Sequence, residues 1–113
     1  MDAEQALAYA LTKPGAWADS PWGEGHNLAK VGSKIFLFPG RLDGRSTITV
    51  KNTEAGVAEL KQRYPDLAAA APYLNKRLWV RLLIDDVPAD EVRELIDDSY
   101  DQVVAKLRKA ERP

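Results

Sequence analysis

Apolar residues in this chain recur at helical spacing in three places, with strand-like stretches between them. Near the start, Ala3, Ala6, Leu7, Ala10 and Leu11 fall on one narrow stripe. Asp2 is placed to cap that helix, and Gln5, at the third helical position, completes a capping box. Pro14-Gly15 stops the helix after Thr12 or Lys13. Residues 16–51 read as β structure, with a short edge strand at 16–19 and a second strand at 26–31. Gly32-Ser33 is a two-residue turn into a third strand through Ile35, Phe36, Leu37 and Phe38. Beyond Asp43-Gly44, Thr47, Thr49 and Lys51 alternate with Ile48 and Val50, so one face is expected to be covered and the other wet.

A second helix starts near Thr53, carries Val57, Leu60 and Tyr64, and ends at Pro65. Gly56 inside it costs about 1 kcal/mol relative to alanine. Residues 65–77 read as irregular, and residues 78–84 as the last strand. In the final helix Pro88 suits the first turn, and Asp90 and Glu91 favour its positive end. Val92, Leu95, Ile96, Tyr100, Val103, Val104 and Leu107 give a sustained apolar face. Lys106, Arg108 and Lys109 are expected in the last turns, where the helix dipole favours cations. Tight turns require antiparallel neighbours, and three helices are too few to clothe both faces of a five-stranded sheet. The expected fold is α+β: a two-layer sandwich with helices mainly on one face and the other sheet face at least partly exposed.

Composition narrows the function classes. With 113 residues, 45% apolar and 29% charged, the chain is expected to form one domain over 1–113 with a real core. It has no cysteine, which removes disulfide and thiolate chemistry and fits a reducing compartment. A start without a basic, apolar leader and the lack of a long apolar run lead to a cytoplasmic expectation without membrane contact. Net charge is −1, yet its distribution is uneven. Residues 30–84 hold ten Lys/Arg against four acids, a net of +6, and residues 85–104 hold eight acids against Arg93 alone, a net of −7.

Within the basic region, Trp79 and Arg81 alternate with Leu78, Val80, Leu82 and Ile84, so they belong to the face away from the helices. Lys51, with Thr47 and Thr49, can share that face. An aromatic flanked by cations on an open sheet stacks a base and holds its phosphates, at about 1–3 kcal/mol per stacked base. The alternative is that Trp79 fills a minor core under the 65–77 loop with Arg81 covering it. Asn75-Lys76-Arg77 offers two cations and an amide to phosphates or base edges, or else forms a solvated turn held by Asn75. Lys30 and Lys34 lie in the same basic region. Trp17 and Trp22 are expected to pack the edge strand onto the sheet. His26 is the only histidine, and no nucleophile is spaced to use it as a base, so no catalytic set is expected. Glu94, Asp97, Asp98 and Asp101 share one sector of the last helix and read as a solvated face rather than a metal cage. No cofactor motif is present.

Several short motifs carry a family resemblance. Lys13-Pro14-Gly15, Pro21-Trp22-Gly23, the run from Lys30 to Phe36, Leu74-Asn75-Lys76 before Trp79, and Leu95 to Tyr100 followed by Val103 together resemble the small bacterial YjbR/MmcQ family. Leu78 departs from it, since members often carry histidine before the tryptophan, and any role of that histidine does not transfer. The resemblance implies an α-β(3)-α-β(2)-α fold akin to secretion chaperones, and a DNA-binding label described as a double-wing motif. Within the Leu95 to Tyr100 motif, Asp98 and Ser99 are candidates to hydrogen-bond a neighbouring loop. The leading expectation is therefore a non-enzymatic module binding DNA or single-stranded nucleic acid weakly, through Lys30, Lys51, Asn75, Lys76, Arg77, Trp79 and Arg81. The rival is a protein-interaction or chaperone-like module, a homodimer among its forms. An enzyme acting on a small substrate has least support.

Overall fold

The computed structural model describes all 113 residues. Its elements are α1 (Ala3–Ala10), β1 (Ala16–Asp19), β2 (Leu28–Val31), β3 (Lys34–Leu42), β4 (Arg45–Lys51), α2 (Glu54–Arg63), β5 (Ala68–Ala70), β6 (Trp79–Leu83) and α3 (Ala89–Val104), then a short 3₁₀ turn, Lys109–Glu111. The strands form one antiparallel sheet in the order β1-β2-β3-β4-β6-β5. The expected α+β architecture is present, with four strands before α2 where the resemblance implies three. The additional one is the short edge strand β1.

Local chemistry accounts for most boundaries. Asp2 accepts from the Gln5 backbone N–H while the Gln5 side chain accepts from that of Asp2, closing the capping box on α1. Thr53 caps α2 through the Gly56 N–H. Gly56 is also the residue the local space demands, since a Cβ there would lie 2.8 Å from Cγ of the buried Asn52. Gly32 turns β2 into β3 at φ +56°, and a side chain on it would meet Leu107 at 3.0 Å.

Two boundaries differ from expectation. The 65–77 segment is not wholly irregular: β5 pairs with β6 through Ala68–Leu82, Ala69–Arg81 and Ala70–Val80. Three alanines carry no alternation, so the sequence pattern gives no sign of this edge strand. The last helix ends at Val104, so Lys106, Arg108 and Lys109 lie beyond it and not in its final turns. Leu107 still reaches the core.

All three helices lie against one face. α3 crosses β2, β3 and β4, α1 packs beside it on β3 and β4, and α2 contributes Val57 and Leu60 near β5. Ile48, Val50, Val80, Leu82, Val92 and Ile96 are fully buried between the layers. In β3 the pairing slips from Lys30–Ile35 to Ala29–Leu37, leaving Phe36 as the extra residue of a bulge. Phe36 and Leu37 thus both enter the core, with Phe36 meeting the Tyr100 ring edge-on at 5.3 Å. No helix is long and apolar enough to cross a membrane.

Candidate nucleic-acid interface

The sheet face away from the helices is built from residues that lie opposite one another in register. Lys51 pairs with Trp79, and Thr49 with Arg81 on one side and Phe38 on the other. Trp17 pairs with Lys30, which pairs with Ile35. Trp79 and Arg81 therefore stand on the open face, as their alternation with Val80 and Leu82 requires. Trp79 is half-buried, braced by Phe38 in an edge-on contact at 5.9 Å, and no helix covers it. The wet face expected for Thr47, Thr49 and Lys51 is drier than anticipated, with Thr47 and Thr49 both buried. β4 is central, and Thr49 is flanked in register by the longer Phe38 and Arg81.

Lys30, Lys51 and Trp79 line one shallow hollow of about 300 Å³, together with Lys34, Ile35, Phe38 and Val103. Burial pushes the Lys51 ammonium below its ordinary value, and the positive charges of Lys106 and Lys34 push it further. Lys51 thus sits where cations converge without a carboxylate partner. Lys30 is less free: its Nζ pairs with Asp19 at 3.1 Å and lies 5.1 Å above the Trp17 ring.

Asn75, Lys76 and Arg77 are exposed in the loop entering β6. Asn75 Oδ1 accepts from the Arg77 N–H at 2.9 Å, so its side chain is used in holding the turn. The Lys76 carbonyl accepts from Lys61, while the Lys76 and Arg77 charges make no ion pair. Arg81 is half-buried and likewise unpaired. Lys34 and Phe38 were missing from the sequence-derived set. For Phe38 the signal is the uninterrupted run Ile35-Phe36-Leu37-Phe38, in which a bulge rather than strict alternation decides the face.

Other expectations change. Trp17 and Trp22 do not pack β1 down, since they are 43% and 66% exposed. Trp17 instead donates from Nε1 to the Gly32 carbonyl at 3.0 Å. Ser99 bonds strand backbone rather than a loop, accepting from the Lys51 N–H and donating to the Phe36 carbonyl. Asp97 is engaged by Lys13 and the Tyr9 hydroxyl, each at 2.7 Å. His26 is exposed in the 20–27 loop, at a larger hollow of about 560 Å³ between that loop, α1 and the free edge of β3. Its ring makes no hydrogen bond there.

Comparison with known proteins agrees with this architecture. The YjbR family model matches residues 11–102. The chain is 29% identical to the uncharacterized protein YbdF of Escherichia coli O157:H7, over 96% of this chain and 89% of that one. It is 26% identical to the uncharacterized protein YjbR of Escherichia coli K12, over 99% and 95%. Among solved structures, the Deinococcus radiodurans protein DR2400, a DUF419 domain, superposes with a TM-score of 0.85 at 25% identity, covering 97% of this chain and 84% of that one. A Pseudomonas syringae protein of the same fold superposes at 0.71 and 22% identity, covering 90% and 98%. With the family model spanning most of its length, this chain belongs to the YjbR family.

Proposed function

We propose that the open sheet face binds single-stranded nucleic acid without catalysing a reaction. The observation carrying this reading is the placement of Trp79. It stands on the helix-free face, braced by Phe38, with Lys51 opposite it in register and Arg81 two residues along the strand. A rigid ring among unpaired cations meets the two needs of strand binding, a stacking surface and phosphate attraction. The acidic α3 lies on the other side of the sheet, so its charge is turned away from the strand.

Titration of single-stranded and duplex probes at low salt, read by tryptophan quenching, tests the reading. Affinity on the order of micromolar or poorer at physiological salt is expected. Trp79→Ala should weaken single-strand binding by about 1–3 kcal/mol, with Trp79→Phe restoring part of it and thermal melting confirming that both variants are folded. Absence of binding to either probe at low salt would sink the idea.

A second reading, a protein partner or homodimer, draws on the exposed Trp17 and Trp22. A dimer in sedimentation equilibrium that Trp17→Ala dissociates would favour it.

A further inference from the structure

We propose that the hollow at the end of the open face is a phosphomonoester site, in which Lys34, Lys51 and Lys106 hold a terminal phosphate and Trp79 with Phe38 receives the attached ring. The inference rests on the strand-binding reading for what lies beyond that phosphate. It names one end of the strand, or a free mononucleotide, as the occupant.

The hollow has nine lining residues, three of them lysines and none an acid. Its volume of about 300 Å³ is at the small end of ligand sites, on the order of 300–1,000 Å³, and suits a single nucleotide unit. Lys34 and Lys51 line it directly. Lys106 stands next to it, three residues beyond the lining Val103, its N–H bonded to the Val103 carbonyl. The positive charges of Lys34 and Lys106 both push the Lys51 ammonium down, and none of the three has an ion pair within the chain. The carboxylates nearby are already engaged. Asp19 holds Lys30 at 3.1 Å, and Glu111, which sits by the lining residue Ser33, pairs with Arg108 at 3.6 Å.

Charge matching then selects the ligand. A phosphodiester within a strand brings a single negative charge, while a monoester brings about −1.5 to −2 at pH 7 together with three acceptor oxygens. Lys34 and Lys51 in the hollow, with Lys106 beside it and the Lys51 ammonium partly desolvated, match the monoester. Phe38 and the half-buried Trp79, in edge-on contact, line the same hollow and supply the ring contact.

The test compares one short oligonucleotide in its 5′-phosphorylated, 3′-phosphorylated and unphosphorylated forms. Alongside it run a nucleoside monophosphate, the parent nucleoside and inorganic phosphate. An end phosphate should tighten binding roughly tenfold or more, the scale of one charge-assisted hydrogen bond. The double variant Lys34→Ala/Lys106→Ala, at two exposed positions and with thermal melting confirming that it is folded, should bring the phosphorylated strand down to the level of the unphosphorylated one. If phosphorylated and unphosphorylated strands bind equally, or if the preference survives in the double variant, the monoester site is wrong and the open-face reading stands. If the mononucleotide binds and the nucleoside does not, while no oligonucleotide binds, the monoester site stands and the strand reading falls. Binding of inorganic phosphate alone, with no gain from the nucleoside, overturns the ring contact. Failure of every probe overturns both.

Discussion

Ser99 is fully buried, and its hydroxyl is bonded on both sides. It accepts from the Lys51 N–H at 2.8 Å and donates to the Phe36 carbonyl at 2.6 Å, so one side chain on α3 satisfies two strand groups that the sheet leaves free. The carbonyl belongs to the bulged residue of β3, which has no cross-strand partner there. Ser99→Ala would strand both groups in a dry environment. A loss of about 1–3 kcal/mol in chemical denaturation is expected, and a loss near zero would mean that water replaces the hydroxyl. The same bonds fix the backbone of Lys51 at the hollow, so ligand affinity should fall with stability. At this scale the sequence was partly legible. Alternation placed Trp79 and Arg81 correctly, because β6 is regular. It could not place Phe38, because four apolar residues in a row hide a bulge, and it could not show that Lys30 is held by Asp19, because that pairing joins β1 to β2 across a turn.

Among the elements, α3 is the most legible in the sequence, since its apolar residues recur over four turns and only a buried helix face needs such a pattern. Ile96 is fully buried against the sheet, and Ile96→Ala should cost about 2–5 kcal/mol, measured as a shift in denaturant midpoint at unchanged slope. The seam between α1 and α3 was not legible, because its ion pair joins residues 84 apart. Burial alone would raise the Asp97 carboxyl, but hydrogen bonds from Lys13 and Tyr9 outweigh it and hold the group below its ordinary value of 3.8. Lys13 is raised by the same bond. A depressed carboxylate contributes stability above its unfolded value, and that stability is lost as pH falls through the folded value. Asp97→Asn should therefore be less stable than the parent at neutral pH, with the gap closing below about pH 4. A gap that persists unchanged into acid would assign the effect to packing. β5 shows the opposite limit of legibility: three alanines have neither the alternation nor the branched side chains that mark a strand, and only pairing with β6 makes them one.

Over the whole molecule, the fold converts a charge division along the chain into one across the sheet. The segment 85–104, net −7, becomes α3 and the loop leading into it, and the exposed acids of the helix, Asp90, Glu94, Asp98 and Asp101, point to solvent on the helical side. Lys51 and Arg81 face the other side, and Lys76 and Arg77 extend it from the loop before β6. A net charge of −1 therefore understates the field above the open face, which is confined to short range because the Debye length is about 8 Å at physiological salt. Affinity for a strand should then fall steeply with salt, at a slope set by the number of phosphates neutralised, about 0.7 per contact on a single strand. Removing charge at Lys76 and Arg77 together should lower that slope by roughly 1.4 if both meet phosphate, and weaken all sequences alike. Trp79→Ala should leave the slope almost unchanged while reducing affinity at every salt concentration, because stacking releases no counterions. Binding titrations at several salt concentrations separate the two terms. A slope that does not respond to loss of Lys76 and Arg77 would place the phosphate path elsewhere on the face, toward Lys34 and Lys106.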